Sequence, residues 1–170
     1  MASTWPEIEG KILDTTEKMM LPKLTELGFI YYSTAELTAQ WLINPANGEK
    51  LRVRRELHPD THEDIVVVEH KELVKGHEKS WLKANQETWF EARNLDDVIQ
   101  VFEKIWLEKV WLPSIKNRVS YVLEYNYCER VRLDFDTYTN LMGKPIPEFM
   151  EIEATTAEWV YEIAHALGFQ

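Results

Sequence analysis

Polar and apolar positions alternate without a break through residues 130 to 136, RVRLDFD. Arg130, Arg132, Asp134 and Asp136 fall on one side, Val131, Leu133 and Phe135 on the other. Alternation of period two predicts a strand with one face against a core. The same period runs through EIEGK at 7 to 11, where Glu7, Glu9 and Lys11 share a face and Ile8 and Ile12 take the other. In LRVRRE, Leu51 and Val53 oppose Arg52, Arg54 and Glu56. In IVVVEHK, Glu69 and Lys71 share a face. In SIKNRV, Lys116 and Arg118 are backed by Ile115, Asn117 and Val119. In FMEIEA, Glu151 and Glu153 share a face with Phe149, opposite Met150 and Ile152.

Between these segments the period changes. Residues 16 to 27 carry Met19, Met20, Leu24 and Leu27 at helical spacing, with Thr15 or Thr16 to cap the start, Gly28 to stop the end, and Pro22 to kink or break the middle. Residues 94 to 109 place Val98, Phe102 and Ile105, with Trp106 or Leu107, on one face, and Asp96 and Asp97 near the N-terminus. Residues 155 to 167 predict a closing helix before Gly168. Residues 29 to 43 read as extended, and Asn47-Gly48 predicts a turn inside a hairpin over 37 to 57. Further strands are predicted over 6–12, 65–71, 84–91, 112–125, 127–136 and 149–154, with loops at 58–64, around VKGHEK and over 137–148. No repeat or linker divides the chain. The expectation is one α+β domain over 1–170, with about eight strands, mostly antiparallel, and three helices.

Two architectures satisfy the alternation. An open sheet covers its core with the apolar face and shows charge to solvent. A closed barrel turns the charged face inward and carries its core outside, under the helices. The polar faces carry both signs of charge, and arginine is prominent. Arginine suits bidentate phosphate contact. Paired carboxylates suit Mg²⁺ or Mn²⁺.

Composition narrows the function classes. The chain has 170 residues, 45% hydrophobic and 12% aromatic, enough for a sizeable core. Its net charge of −10 argues against gripping duplex nucleic acid with the whole surface. An anionic ligand would need locally concentrated basic residues. The single cysteine, Cys128, forms no internal disulfide and suits a reducing compartment. With no long apolar run, a cytoplasmic protein with no membrane association is expected. His58 and His62 are read as exposed loop histidines, and His70 as structural or outside any tunnel. Trp41, Trp106, Trp111 and Trp159 are assigned to an apolar layer beneath the helices.

EIEGK, LRVRRE, Lys71, KNR at 116 to 118, RVRLDFD and FMEIE occur in an order that resembles the CYTH superfamily, the triphosphate tunnel metalloenzymes. The resemblance covers roughly the whole chain. It implies an eight-stranded antiparallel β tunnel with a charged interior, flanked by about three helices. It also implies a small-molecule triphosphate as ligand and Mg²⁺ or Mn²⁺ as cofactor. By the same resemblance, Glu7, Glu9, Glu151 and Glu153 hold metal. Lys11, Arg52, Arg54, Lys71, Lys116, Arg118, Arg130 and Arg132 bind phosphate. Lys11, Glu9 and Asp134 serve the chemistry, Asp134 by joining the metal shell or orienting a basic neighbour. The implied activity is hydrolysis of tripolyphosphate or of a nucleoside or thiamine triphosphate. The alternatives are a class IV adenylyl cyclase and a non-catalytic binder. An RNA 5′-triphosphate end and a homodimer stay open. One departure stands out. Where the family often has R-x-E-x-E, this chain has KANQETWFE, with Glu87 and Glu91 but no arginine.

Overall fold

The computed structural model describes residues 3–74, 81–126, 129–139 and 146–169. In chain order the elements are β1 (Ser3–Ile12), α1 (Glu17–Leu27), β2 (Ile30–Ile43), β3 (Lys50–His58), β4 (Glu63–Leu73), β5 (Leu82–Ala92), α2 (Leu95–Lys104), β6 (Glu108–Asn126), β7 (Glu129–Tyr138), β8 (Phe149–Ala154) and α3 (Ala157–Ala166). The strands close into a barrel in the order β1-β5-β4-β3-β2-β6-β7-β8, and every neighbouring pair is antiparallel. This is the α+β class and the closed architecture of the two that the alternation allowed.

The core lies outside the barrel. Val131, Leu133 and Phe135 of β7 are 1%, 0% and 2% exposed, and they cluster with Met20 and Leu24 of α1 and Val160 and Ile163 of α3. On the far side, Val53 of β3 and Val66 and Val68 of β4 pack beneath Ile99, Val98 and Phe102 of α2. Each fully buried aliphatic side chain stabilises the fold by about 1.5–3 kcal/mol. The helices therefore bury the apolar faces and leave the charged faces to line the interior.

Local chemistry fixes the helix ends. The hydroxyl of Thr16 accepts from the Met19 amide, and Gly28 closes α1 at φ 83°. The helix runs through Pro22 without the break that proline suggested. Asn94 and Thr156 cap α2 and α3. The second helix stops at Lys104, short of the predicted 109. The amides of Ile105 and Leu107 both donate to the Phe102 carbonyl, and Trp106 takes φ 82°. The freed residues start β6 at Glu108, where Lys109 and Val110 pair with Leu42 and Trp41.

Gly10, between Glu9 and Lys11, is set by packing. A Cβ there would lie 2.1 Å from the Trp81 ring, which makes an edge contact with Tyr161 of α3. The predicted loop at 58–64 narrows to a short turn between His58 and Glu63. Cys128, His77 and residues 140–145 of the predicted 137–148 loop lie outside the described residues. Among the described residues, no helix is long and apolar enough to cross a membrane.

Candidate functional site

The inward faces enclose a cavity of about 1160 Å³. Every residue singled out for metal or phosphate lines it: Glu7, Glu9, Lys11, Arg52, Arg54, Lys71, Lys116, Arg118, Arg130, Arg132, Glu151 and Glu153. Asp134 lies behind this surface, fully buried. Strand register makes the convergence. Glu9 and Lys11 face Glu153 and Glu151 across β1 and β8, and Arg132 and Asp134 face the same two glutamates across β7 and β8.

The wall of β6, β7, β8 and β1 is an ion-pair network. Arg118 donates to both oxygens of Asp136 at 2.7 Å and to Glu151 at 2.7 Å, and it bridges Asp134. Ser120 donates to Asp134 at 2.6 Å, and Arg132 donates to it at 3.1 Å. Lys116 pairs with Asp136, Lys11 with Glu151, and Arg132 with Glu153. Asp134 and Asp136 are both 0% exposed, so they act as fixed anchors that aim the cations into the cavity. Burial works against charge on Glu151, yet Arg118, Lys116 and Lys11 hold its carboxyl well below the usual range. Burial beside Arg118 brings Lys116 down to about 8, against the pull of Glu151 and Asp136.

One part of this wall is short of positive charge. Carboxylate oxygens of Glu7, Glu9 and Glu153 lie within 4.8 Å of one another. Burial pushes Glu153 up to about 7, with Arg132 opposing and Asp134 and Glu7 adding to the rise. Glu7 is raised too, by burial and by Glu87, although Lys71 donates to it at 2.8 Å. Crowded carboxylates offering oxygen donors alone, with the charged forms of Glu7 and Glu153 disfavoured, fit a hard divalent cation. A second group joins Asp134, Glu151 and Glu153, but there Asp134 and Glu151 already accept from Ser120, Arg118 and Lys11.

The wall of β2 to β5 has a different make-up. Glu69 takes Arg52 on one oxygen and Arg54 at 3.2 Å on the other. Arg54 also reaches Glu56 at 2.6 Å. The Nε donors of Arg52 and Arg54 are buried with no acceptor among the described residues. Lys71 bridges Glu7 and Glu87, the latter at 2.5 Å. Burial opposes its charge, but Glu7 with Glu9 and Glu87 holds its pKa above that of an ordinary lysine. Between these ions stand apolar side chains: Leu37, Ala39 and Trp41 of β2, Ile65 and Val67 of β4, and Trp89 of β5.

Several of these residues escaped the sequence assignment. Trp41, placed beneath the helices from its apolar character, lines the cavity with Arg52 over its ring at 5.4 Å. Trp106 is 83% exposed, Trp159 does pack against the core, and the side chain of Trp111 lies outside the described set. Glu56, Glu69 and Asp136 shared faces with assigned cations, so the alternation itself carried their signal. KANQETWFE, without its arginine, directs Lys83, Asn85, Glu87, Trp89 and Glu91 inward. His58 is not a free loop residue, since its ring lies 3.4 Å from Glu56.

Among the described lining residues, the charges balance. Nine are acidic (Glu7, Glu9, Glu56, Glu69, Glu87, Glu91, Glu124, Glu151, Glu153) and nine are basic (Lys11, Arg52, Arg54, Lys71, Lys83, Lys116, Arg118, Arg130, Arg132). The cavity concentrates cations without offering net positive charge.

No family model matches the chain, and no curated protein matches it. Solved structures do. The triphosphatase of the Mimivirus capping enzyme is similar at TM-score 0.58 and 10% identity, over 95% of this chain and 89% of that one. HpAC1 from Hippeastrum, a candidate adenylyl cyclase with a dominant triphosphatase activity, is similar at TM-score 0.53 and 13% identity, over 94% and 84%. A chain of the Schizosaccharomyces pombe Mediator head module is similar at TM-score 0.64 and 10% identity, over 97% and 94%. At these identities the likeness establishes the fold. The chain has the eight-stranded tunnel fold that the sequence resemblance implied.

Proposed function

We propose that this protein is a divalent-metal-dependent hydrolase of a triphosphate bound in the tunnel. The observation that carries the reading is the meeting of a fixed cationic clamp with an acidic cluster in one charge-balanced cavity. A triphosphate brings several negative charges, and a neutral cavity does not compensate them alone. Glu7, Glu9 and Glu153 would hold Mg²⁺ or Mn²⁺, which supplies the missing positive charge and polarises phosphate oxygens. Lys11, Arg54, Lys116, Arg118 and Arg132 contact phosphate oxygens from the opposing walls. Asp134 and Asp136 keep Arg118, Arg132 and Lys116 in place through the reaction, so little reorganisation is needed as charge develops. Water attacks the terminal phosphorus, the bond to the bridging oxygen breaks with the diphosphate as leaving group, and orthophosphate and a proton are released.

A second reading, a non-catalytic triphosphate binder, draws on two observations. Arg118, Arg132 and Lys71 are already held by carboxylates, and the same fold occurs in the Mediator head module. The test is a product assay with tripolyphosphate and, separately, ATP, each with Mg²⁺ or Mn²⁺, resolved by phosphorus NMR. Orthophosphate is expected from the native protein, with a loss of about 10²-fold or more in Glu9→Ala. Cyclic AMP with pyrophosphate would make the protein a cyclase. Metal-dependent binding without product would favour the binder. Undiminished turnover in Glu9→Ala would sink the site assignment.

A further inference from the structure

The tunnel interior is not uniformly charged, and most of its apolar residues are gathered on one wall. Strand pairing sets them in rows across adjacent strands. Trp41 of β2 pairs with Arg52 of β3, Arg52 with Glu69 of β4, and Glu69 with Trp89 of β5. In the next row Ala39 pairs with Arg54, and Arg54 with Val67. Trp89, Ile65 and Val67 are only part-buried although they face the cavity. Apolar surface left open inside a charged tunnel is unfavourable unless a ligand covers it.

We infer that this wall receives an organic group esterified to the triphosphate, and that the substrate is an organic triphosphate rather than inorganic tripolyphosphate. The inference rests on the triphosphate reading above. Two further observations select the occupant. First, Arg52 and Arg54 alternate with the apolar positions, and cross-strand neighbours stand about 5 Å apart. An apolar group on Val67 is therefore one strand from phosphate on Arg54, and Trp89 stands two strands, about 10 Å, from Arg52, a span that a sugar or similar linker covers. Arg52 and Arg54 both line the cavity, so phosphate oxygens held there would meet their guanidinium groups. Second, the cavity of about 1160 Å³ exceeds the range of ordinary small-ligand pockets, ~300–1,000 Å³. Three phosphoryl groups fill a small part of it. The aromatic ring of Trp89, beside the aliphatic side chains on β4, suits a planar group such as a nucleobase.

The test compares dissociation constants for ATP, CTP, thiamine triphosphate and tripolyphosphate, by calorimetry with Mg²⁺, in the native protein, Trp89→Ala and Ile65→Thr. Ile65→Thr keeps a β-branched strand residue and guards against a folding defect in the tryptophan variant. The native protein is expected to prefer at least one organic triphosphate over tripolyphosphate. Each variant should reduce that preference ratio, by about tenfold for Trp89→Ala and less for Ile65→Thr. Preference for tripolyphosphate over all three organic ligands, or a ratio untouched by both substitutions, would overturn the subsite and leave the triphosphate grip standing. Failure of all four ligands to bind with metal present would overturn both.

Discussion

The two walls of the tunnel solve different problems. On β6 to β8 and β1, each carboxylate buried behind the surface has a cation, and Asp134 and Asp136 never meet solvent. On β2 to β5, a single buried glutamate, Glu69, ties two arginines, and apolar side chains fill the spaces between ions. A buried ion-pair network costs desolvation and returns geometry. The first wall is therefore built to aim cations at a fixed place. The second sets its cations beside surface that water wets poorly, the arrangement on which the proposed subsite rests.

The largest effect should separate the walls in stability. Arg118→Met leaves Asp134 and Asp136 without their main partner and is expected to cost about 3–5 kcal/mol in denaturant unfolding. Arg54→Met leaves Glu69 with Arg52 and should cost clearly less. Equal costs would erase the contrast.

The next effect concerns pH, within a single strand. Glu151 and Glu153 both face the cavity from β8 but shift in opposite directions. A carboxyl raised to about 7 keeps its proton in the fold. The stability that Glu153 contributes is complete below its ordinary pKa and is lost as pH rises through about 7. The contribution of Glu151 is present above the ordinary value and is lost as pH falls below it. If Glu153 holds the metal, binding displaces its proton, and Mn²⁺ affinity should fall up to about tenfold per pH unit below 7. A titration series across this range, followed by calorimetry, checks it. A flat profile would remove Glu153 from the metal shell.

The smallest effect lies on the outside. Gly10→Ala forces the Trp81 ring away from β1 and its contact with Tyr161, for an expected loss of about 1 kcal/mol. A change of several kcal/mol by thermal unfolding would mean that the outer packing also fixes the register of Glu9 and Lys11.

The alternation of charged and apolar residues carried the strands and, with the ordered motifs, most of the lining. RVRLDFD alone sorts its residues into two opposite faces. Alternation cannot say which side of a sheet becomes the inside, because a solvated face and a tunnel wall share one pattern. Barrel closure and the two helix-covered cores settle that. Trp41 shows the same limit in reverse. Hydrophobicity placed it beneath a helix, whereas its pairing opposite Arg52 puts it in the cavity. Helix α2 was overextended because IWLEK continues the apolar periodicity, and the left-handed turn at Trp106 has no signal in residue type.

The most direct test of the central claim is calorimetric titration of tripolyphosphate and ATP into the native protein and Glu9→Ala, with and without Mg²⁺ or Mn²⁺. The charge-balanced tunnel predicts binding that is strong with metal, weak without it, and lost with the glutamate. Equal binding with and without metal, or binding indifferent to Glu9, would contradict it.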